Sequence, residues 1–252
     1  MTRQSRPTSP TVQTHRNEKT SMQTETLLLP GLICDEIIFA DQVAALSNNG
    51  VRALHGYAHC RTIEEMAARV LERAPDRFNL CGHSMGARVA LEVVRRAPEK
   101  VAKLALLDTG VHPCRPGEKE KRYALLELGR TQGMAALVDE WLPPMVGEPA
   151  RQDKELMTRM HAMACGEGLE AFEAQINALL SRPEVESLLP QISVPTLVGA
   201  GSLDIWSPPA QHEHIASLIP NSRLVIFEGA GHMAPMEAPD AVTDALSEWI
   251  AQ

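Results

Sequence analysis

Apolar residues in this chain fall into two kinds of pattern, short continuous runs and longer stretches in which they recur every three or four positions. The runs at 24–29, 51–56, 78–81, 101–107, 195–200 and 223–227 predict buried strands, and the periodic stretches at 35–46, 63–73, 87–96, 209–218 and 238–250 predict helices. Punctuation agrees with these bounds. Thr62 with Glu65 three residues on has the form of a capping box, and Arg95-Arg96 followed by Pro98 closes the helix from 87 at the end that favours positive charge. Strand and helix alternate through short links, which predicts an α/β fold with a sheet of about six mostly parallel strands and helices on both faces. Right-handed crossovers then place every strand C-terminus on one edge, where sites of such sheets form.

The alternation stops at 112 and resumes at 192. Between them lie helical stretches at 118–130, 134–142, 153–164 and 169–180, broken by Pro143-Pro144, Gly147, Pro149, Gly166 and Gly168. A strand-free interval of about 80 residues is too long for a loop, and a helical cap over the sheet edge explains it. The expected organisation is a tail at 1–21, a core made of 22–111 and 192–252, and a cap insertion at 112–191. Residues 1–21 are rich in Thr, Ser, Gln, Pro and charge. They are expected to be disordered, and they lack the apolar middle of a signal peptide. Met22, just before the first predicted strand, is a candidate alternative translation start.

Composition narrows the function classes. The 252 residues suffice for one large α/β domain. The net charge of −8 argues against nucleic acid and anionic membrane surfaces as partners, and 4% aromatics leave few platforms for stacking bases. Five scattered cysteines without a C-x-x-C pair predict reduced thiols and a cytoplasmic protein. No apolar run reaches the length of a membrane span.

Candidate chemistry centres on Gly82-His83-Ser84-Met85-Gly86, set between a predicted strand and a predicted helix. Glycines flank such a turn because a Cβ there would meet neighbouring backbone, and the turn raises the Ser84 hydroxyl beside a helix N-terminus. A serine hydroxyl needs a base, and the base needs a carboxylate on its other nitrogen. Of the nine histidines, His232 follows the last strand in a Gly-Ala-Gly-His loop that can approach the edge; His212 and His214 read as an exposed helix surface, and His83 as pointing away from the elbow. For the acid, Asp204 and Asp108 both follow strands, and the chain order Ser, Asp, His favours Asp204.

Gly82-His83-Ser84-Met85-Gly86, Gly201-Ser202-Leu203-Asp204 and Gly229-Ala230-Gly231-His232, in that order and each at a strand end, resemble the motifs of α/β-hydrolase fold enzymes over about residues 24–251. The resemblance implies Ser84 as nucleophile, His232 as general base and Asp204 as its orienting acid. It implies backbone N–H groups of Met85 and Leu32 as the oxyanion hole, with Pro30-Gly31 standing where many relatives carry His-Gly. An amino-terminal β-hairpin found in many relatives is not expected. Asp is absent from the nucleophile position, which argues against a haloalkane dehalogenase. No H-E-x-x-H, carboxylate cluster or phosphate-binding Gly loop occurs, so neither metal nor cofactor is expected.

The expected activity is hydrolysis of an ester-type bond in a small or medium, largely apolar substrate through an acyl-enzyme. The same triad also serves carbon–carbon hydrolases and lactonases, and a few relatives are non-catalytic ligand sensors. Trp141, Met145, Met160 and Phe172 are the expected pocket residues, from a cap whose methionines suit a flexible apolar pocket. The partner is a small-molecule substrate; nothing in the chain fixes its oligomeric state.

Overall fold

The computed structural model describes residues 24–252; the tail at 1–21 and Met22 lie outside the described residues. Six strands form one sheet: β1 Glu25–Leu29, β2 Val51–Ala53, β3 Phe78–His83, β4 Val101–Leu107, β5 Thr196–Gly201 and β6 Ser222–Phe227. Their order is β2-β1-β3-β4-β5-β6, and every neighbouring pair is parallel. Leu27, Leu28 and Leu29 of β1 are all fully buried, as both faces of a helix-covered parallel sheet require. Each such leucine contributes roughly 1.5–3 kcal/mol relative to exposure.

The helices are α1 Ala40–Ala45, α2 Ile63–Arg73, α3 Met85–Arg96, α4 Glu118–Gln132, α5 Met134–Trp141, α6 Lys154–Leu180, α7 Pro209–Leu218, α8 Ala234–Glu237 and α9 Pro239–Ala251. The Thr62 side chain accepts from the Glu65 N–H at 3.1 Å, but Glu65 reaches back to the Arg61 N–H rather than to that of Thr62. The second strand is shorter than its apolar run, and α8 was not evident in the periodicity. The two helices expected at 153–164 and 169–180 are one element, α6, broken at Gly168 where φ is 82°. Glycine holds that angle without strain.

β1 has β2 on one side and β3 on the other, so the chain reverses direction across the sheet between β1 and β3. Ligand crevices of open α/β sheets form at this reversal, beyond the strand C-termini. Pro30-Gly31-Leu32 and Ser84 follow those two strands. Helices α4, α5 and α6 all lie between β4 and β5 in the chain, and their side chains join residues of the strand ends around one cavity. Among the described residues, no helix is long and apolar enough to cross a membrane.

Candidate active site

Ser84 joins β3 to α3 with φ 54° and ψ −114°, outside the regions open to ordinary residues. Three contacts hold it there. Its N–H donates to the Leu107 carbonyl at 2.8 Å, its carbonyl accepts from Thr109 Oγ1 at 3.0 Å, and α3 presses close to β1. A Cβ on Gly86 would overlap the Leu29 and Pro30 carbonyls, and one on Gly82 would overlap the backbone of Gly86 and Ala87. The two glycines are therefore required by close backbone approach.

His232 and Ser84, 148 positions apart in sequence, meet with Nε2 2.8 Å from Oγ. On the other side of the ring, His232 Nδ1 lies 2.7 Å from Asp204 Oδ2. The Asp204 Oδ1 accepts the N–H groups of Trp206 at 2.8 Å and Ser207 at 2.9 Å. Burial alone would raise the Asp204 carboxyl, but His232 and these two donors outweigh it and hold it below the ordinary value. Charged Asp204 fixes the Nδ1–H tautomer of His232 and leaves Nε2 to accept from Ser84.

The loop carrying His232 is held on both sides. Its N–H donates to the Met145 carbonyl at 2.7 Å, and its carbonyl accepts from His83 Nε2 at 2.7 Å. Glu237 accepts from the N–H groups of Gly147, Gly231 and Met233 at 2.7–2.9 Å.

Asp108, the rival acid, does not reach His232. Its Oδ1 accepts the Gly201 N–H at 2.8 Å, and Oδ2 lies 4.0 Å from His83. Burial first, then the nearby Asp204 charge, push its carboxyl well above the ordinary range. Asp108 thus ties the end of β4 to the end of β5, in surroundings that favour its uncharged form.

Leu32 and Met85, expected as oxyanion donors, are both buried and both line the cavity at Ser84. Met85 opens α3, so its N–H has no carbonyl behind it in the helix. The loop carrying Leu32 is fixed by the next residue, whose N–H donates to Gln175 Oε1 on α6 at 2.6 Å.

His212 is fully buried, not on an exposed surface as its helix pattern implied. Its Nε2 accepts from the Thr109 N–H at 2.8 Å and Nδ1 donates to the Pro208 carbonyl at 3.3 Å. Burial lowers His83 to about 3 and His212 to about 4. Unfolding returns His212 to about 6.5, so below that pH the unfolded chain takes up a proton that the native chain refuses until about pH 4. Its contribution is therefore present above the unfolded value and lost on acidification, by about 2 kcal/mol at pH 5. In urea titrations the stability difference between wild type and His212→Gln is expected to shrink by about that amount from pH 7 to pH 5. An unchanged difference would mean that His212 takes up its proton in the native protein as readily as in the unfolded chain.

The cavity holds about 300 Å³. Trp141, Met145 and Phe172 line it together with Ser84, His232, Leu32 and Met85. Met160 does not. It is fully buried in the hydrophobic core and is not among the residues that line the cavity. The wall also differs from an apolar expectation, since arginines and a lysine from four separate segments share it. Sequence reasoning missed these, because each reads on its own as an ordinary charged residue. Among the described residues, no group of three or more His, Cys, Asp or Glu side chains is placed to hold a metal ion, and all five cysteines are free thiols.

Residues 28–245 match the family model described as the alpha/beta hydrolase family. The chain is similar to the pimeloyl-acyl-carrier-protein methyl ester esterase of Aromatoleum aromaticum, 28% identical over 209 residues that cover 74% of this chain and 80% of that one. Among solved structures it is similar to a thermophilic esterase from Thermogutta terrifontis, with 30% identity, coverage of 90% and 89%, and a TM-score of 0.81. It is also similar to the enol-lactonase from Burkholderia xenovorans, with 25% identity, coverage of 91% and 92%, and a TM-score of 0.81.

Proposed function

The chain belongs to the alpha/beta hydrolase family, and from that premise we propose that it is a serine hydrolase acting on carboxylic esters of small molecules through an acyl-enzyme. One observation carries the reading: an unbroken relay from Ser84 Oγ through His232 to Asp204, with contacts of 2.8 and 2.7 Å, opening onto a cavity.

His232 Nε2 takes the Ser84 proton as Oγ bonds to the ester carbonyl carbon. The carbonyl oxygen becomes an oxyanion facing the N–H groups of Met85 and Leu32, each worth about 3 kcal/mol in such a role. Collapse breaks the ester C–O bond, and the alcohol leaves with the proton from His232. Water then repeats the sequence on the acyl-enzyme, giving the acid and restoring Ser84. The backbone clamps on His232 and the two N–H bonds to Asp204 hold the relay before substrate arrives, so little reorganisation accompanies the reaction.

The α4–α6 segment acts as the cap, with Trp141, Met145 and Phe172 receiving the acyl part. Opening of a lactone uses the same steps with the leaving oxygen still tethered, and the likeness to the enol-lactonase favours it as a second reading. The proposed setting is the cytoplasm, with a small-molecule substrate as the partner.

Mixing enzyme with an excess of p-nitrophenyl acetate tests the reading. An initial burst of about one equivalent of nitrophenol, followed by slower turnover, is the expected trace. Binding without release would instead mark a ligand sensor.

A further inference from the structure

The protein carries a net charge of −8, yet the wall of its cavity has the opposite sign. Arg88, Arg115, Lys121, Arg122 and Arg182 line it, and Glu118 is the single carboxylate among the lining residues. That carboxylate is already taken. Arg182 Nη1 and Nη2 meet its two oxygens at 2.6 and 2.8 Å, Arg122 donates to Oε1 at 3.0 Å, and the Arg115 N–H donates to Oε2 at 3.1 Å. Burial opposes ionisation of Glu118, but these donors hold its carboxyl far below the ordinary range. One negative charge is thus shared by two guanidinium groups, and the side chains of Arg88, Arg115 and Lys121 have no carboxylate partner among the described residues.

Arg88 is the telling member. Its side chain is nearly buried, at 4% exposure, where an unpaired charge is costly. Its Nη2 donates to the His112 carbonyl, while Nη1 has no acceptor among the described residues. Burial and the adjacent Arg182 lower its guanidinium to about 9, which still leaves it charged at neutral pH. Ser84 is the N-cap of α3 and Arg88 lies on the first turn of that helix, and both line the cavity.

Resting on the hydrolase reading above, we propose that the ester substrate carries a compact oxyanion, a carboxylate or a phosphate, and that Arg88, aided by Arg115 and Lys121, binds it while Ser84 attacks the ester carbonyl. The chemistry of the wall supports this. A planar guanidinium pairs with two oxygens of either anion, a cleft lined by one sign of charge concentrates the opposite ion, and Ser84 and Arg88 line one cavity, so a single substrate can meet both. Trp141, Met145 and Phe172 then accommodate the apolar part of that chain.

Three methyl esters of equal chain length test the proposal, one ending in a carboxylate, one in a phosphate monoester and one in an uncharged amide. One of the two anionic esters should exceed the amide in kcat/KM by about ten- to hundredfold, chiefly through KM, and this advantage should shrink as salt is added. The better anion identifies the group. Arg88→Gln should abolish the advantage and Arg88→Lys should restore part of it, with circular dichroism confirming that both fold. An amide ester turned over as well as both anions, or an undiminished charged-to-neutral ratio in Arg88→Gln, overturns the anion site while leaving a working hydrolase. Failure of all three esters, together with no labelling of Ser84 by a fluorophosphonate, removes the hydrolase reading and the anion site with it.

Discussion

Ser84→Ala is expected to fold as the wild type does and to lose ester turnover by roughly 10⁶-fold, the scale found when the nucleophile of a serine protease is removed. Alanine keeps the Ser84 Cβ and removes only Oγ, so the close backbone approaches at Gly82 and Gly86 are left as they are. Two other serines provide the control. Ser207 lines the same cavity but gives its N–H to Asp204, and the Ser202 hydroxyl accepts from the Gly229 N–H at 2.9 Å. Neither has an imidazole to take its proton. A fluorophosphonate should therefore label Ser84 alone, as read by peptide mass spectrometry. Labelling at Ser207, or near-normal turnover by Ser84→Ala, would refute the assignment.

The second large effect separates two aspartates that share one edge of the sheet. Asp204→Asn is expected to lower kcat by about 10⁴, as the equivalent change did in a serine protease, because the amide favours the wrong imidazole tautomer and removes the charge that stabilises the imidazolium. Asp108→Asn should lower it by less than about tenfold, since Asp108 makes no contact with His232 and the carboxamide keeps an oxygen for the Gly201 N–H. Steady-state kinetics on both variants decides the matter. A larger loss in Asp108→Asn would mean that the acid belongs to β4.

These residues were legible in the sequence because their chemistry is written in local backbone demands. The glycines around Ser84 report a turn that only they permit, and Asp204 and His232 each follow a strand, which in a parallel sheet fixes the edge they occupy. The cationic wall was illegible for the opposite reason. Arg88, Glu118 and Arg182 come from α3, the start of α4 and the loop just past α6, and each alone reads as an ordinary charged residue. Only tertiary packing shows that Arg182 consumes the carboxylate and that Arg88 has none. Met160 failed as a pocket residue because helical periodicity tells which positions are buried, not whether they face a cavity or the interior of their own layer. His212 had a usable signal, since Ile215 lies three residues on and both are buried, but the two histidines of α7 obscured it.

The hydrogen bond from the His232 N–H to the Met145 carbonyl bears on how such enzymes can be rebuilt. Met145 and Gly147 lie within the chain interval that shapes the pocket, yet one carries the imidazole loop and the other shares Glu237 with it. Gly147 also sits so near Gly229 and Gly231 that a Cβ there would crowd them. A chimera that exchanges the whole interval between β4 and β5 for that of a relative would thus detune the proton relay along with the specificity. The natural seams for transplantation lie on either side of this short stretch, with residues 145–147 kept with the scaffold and the helices around them free to be replaced.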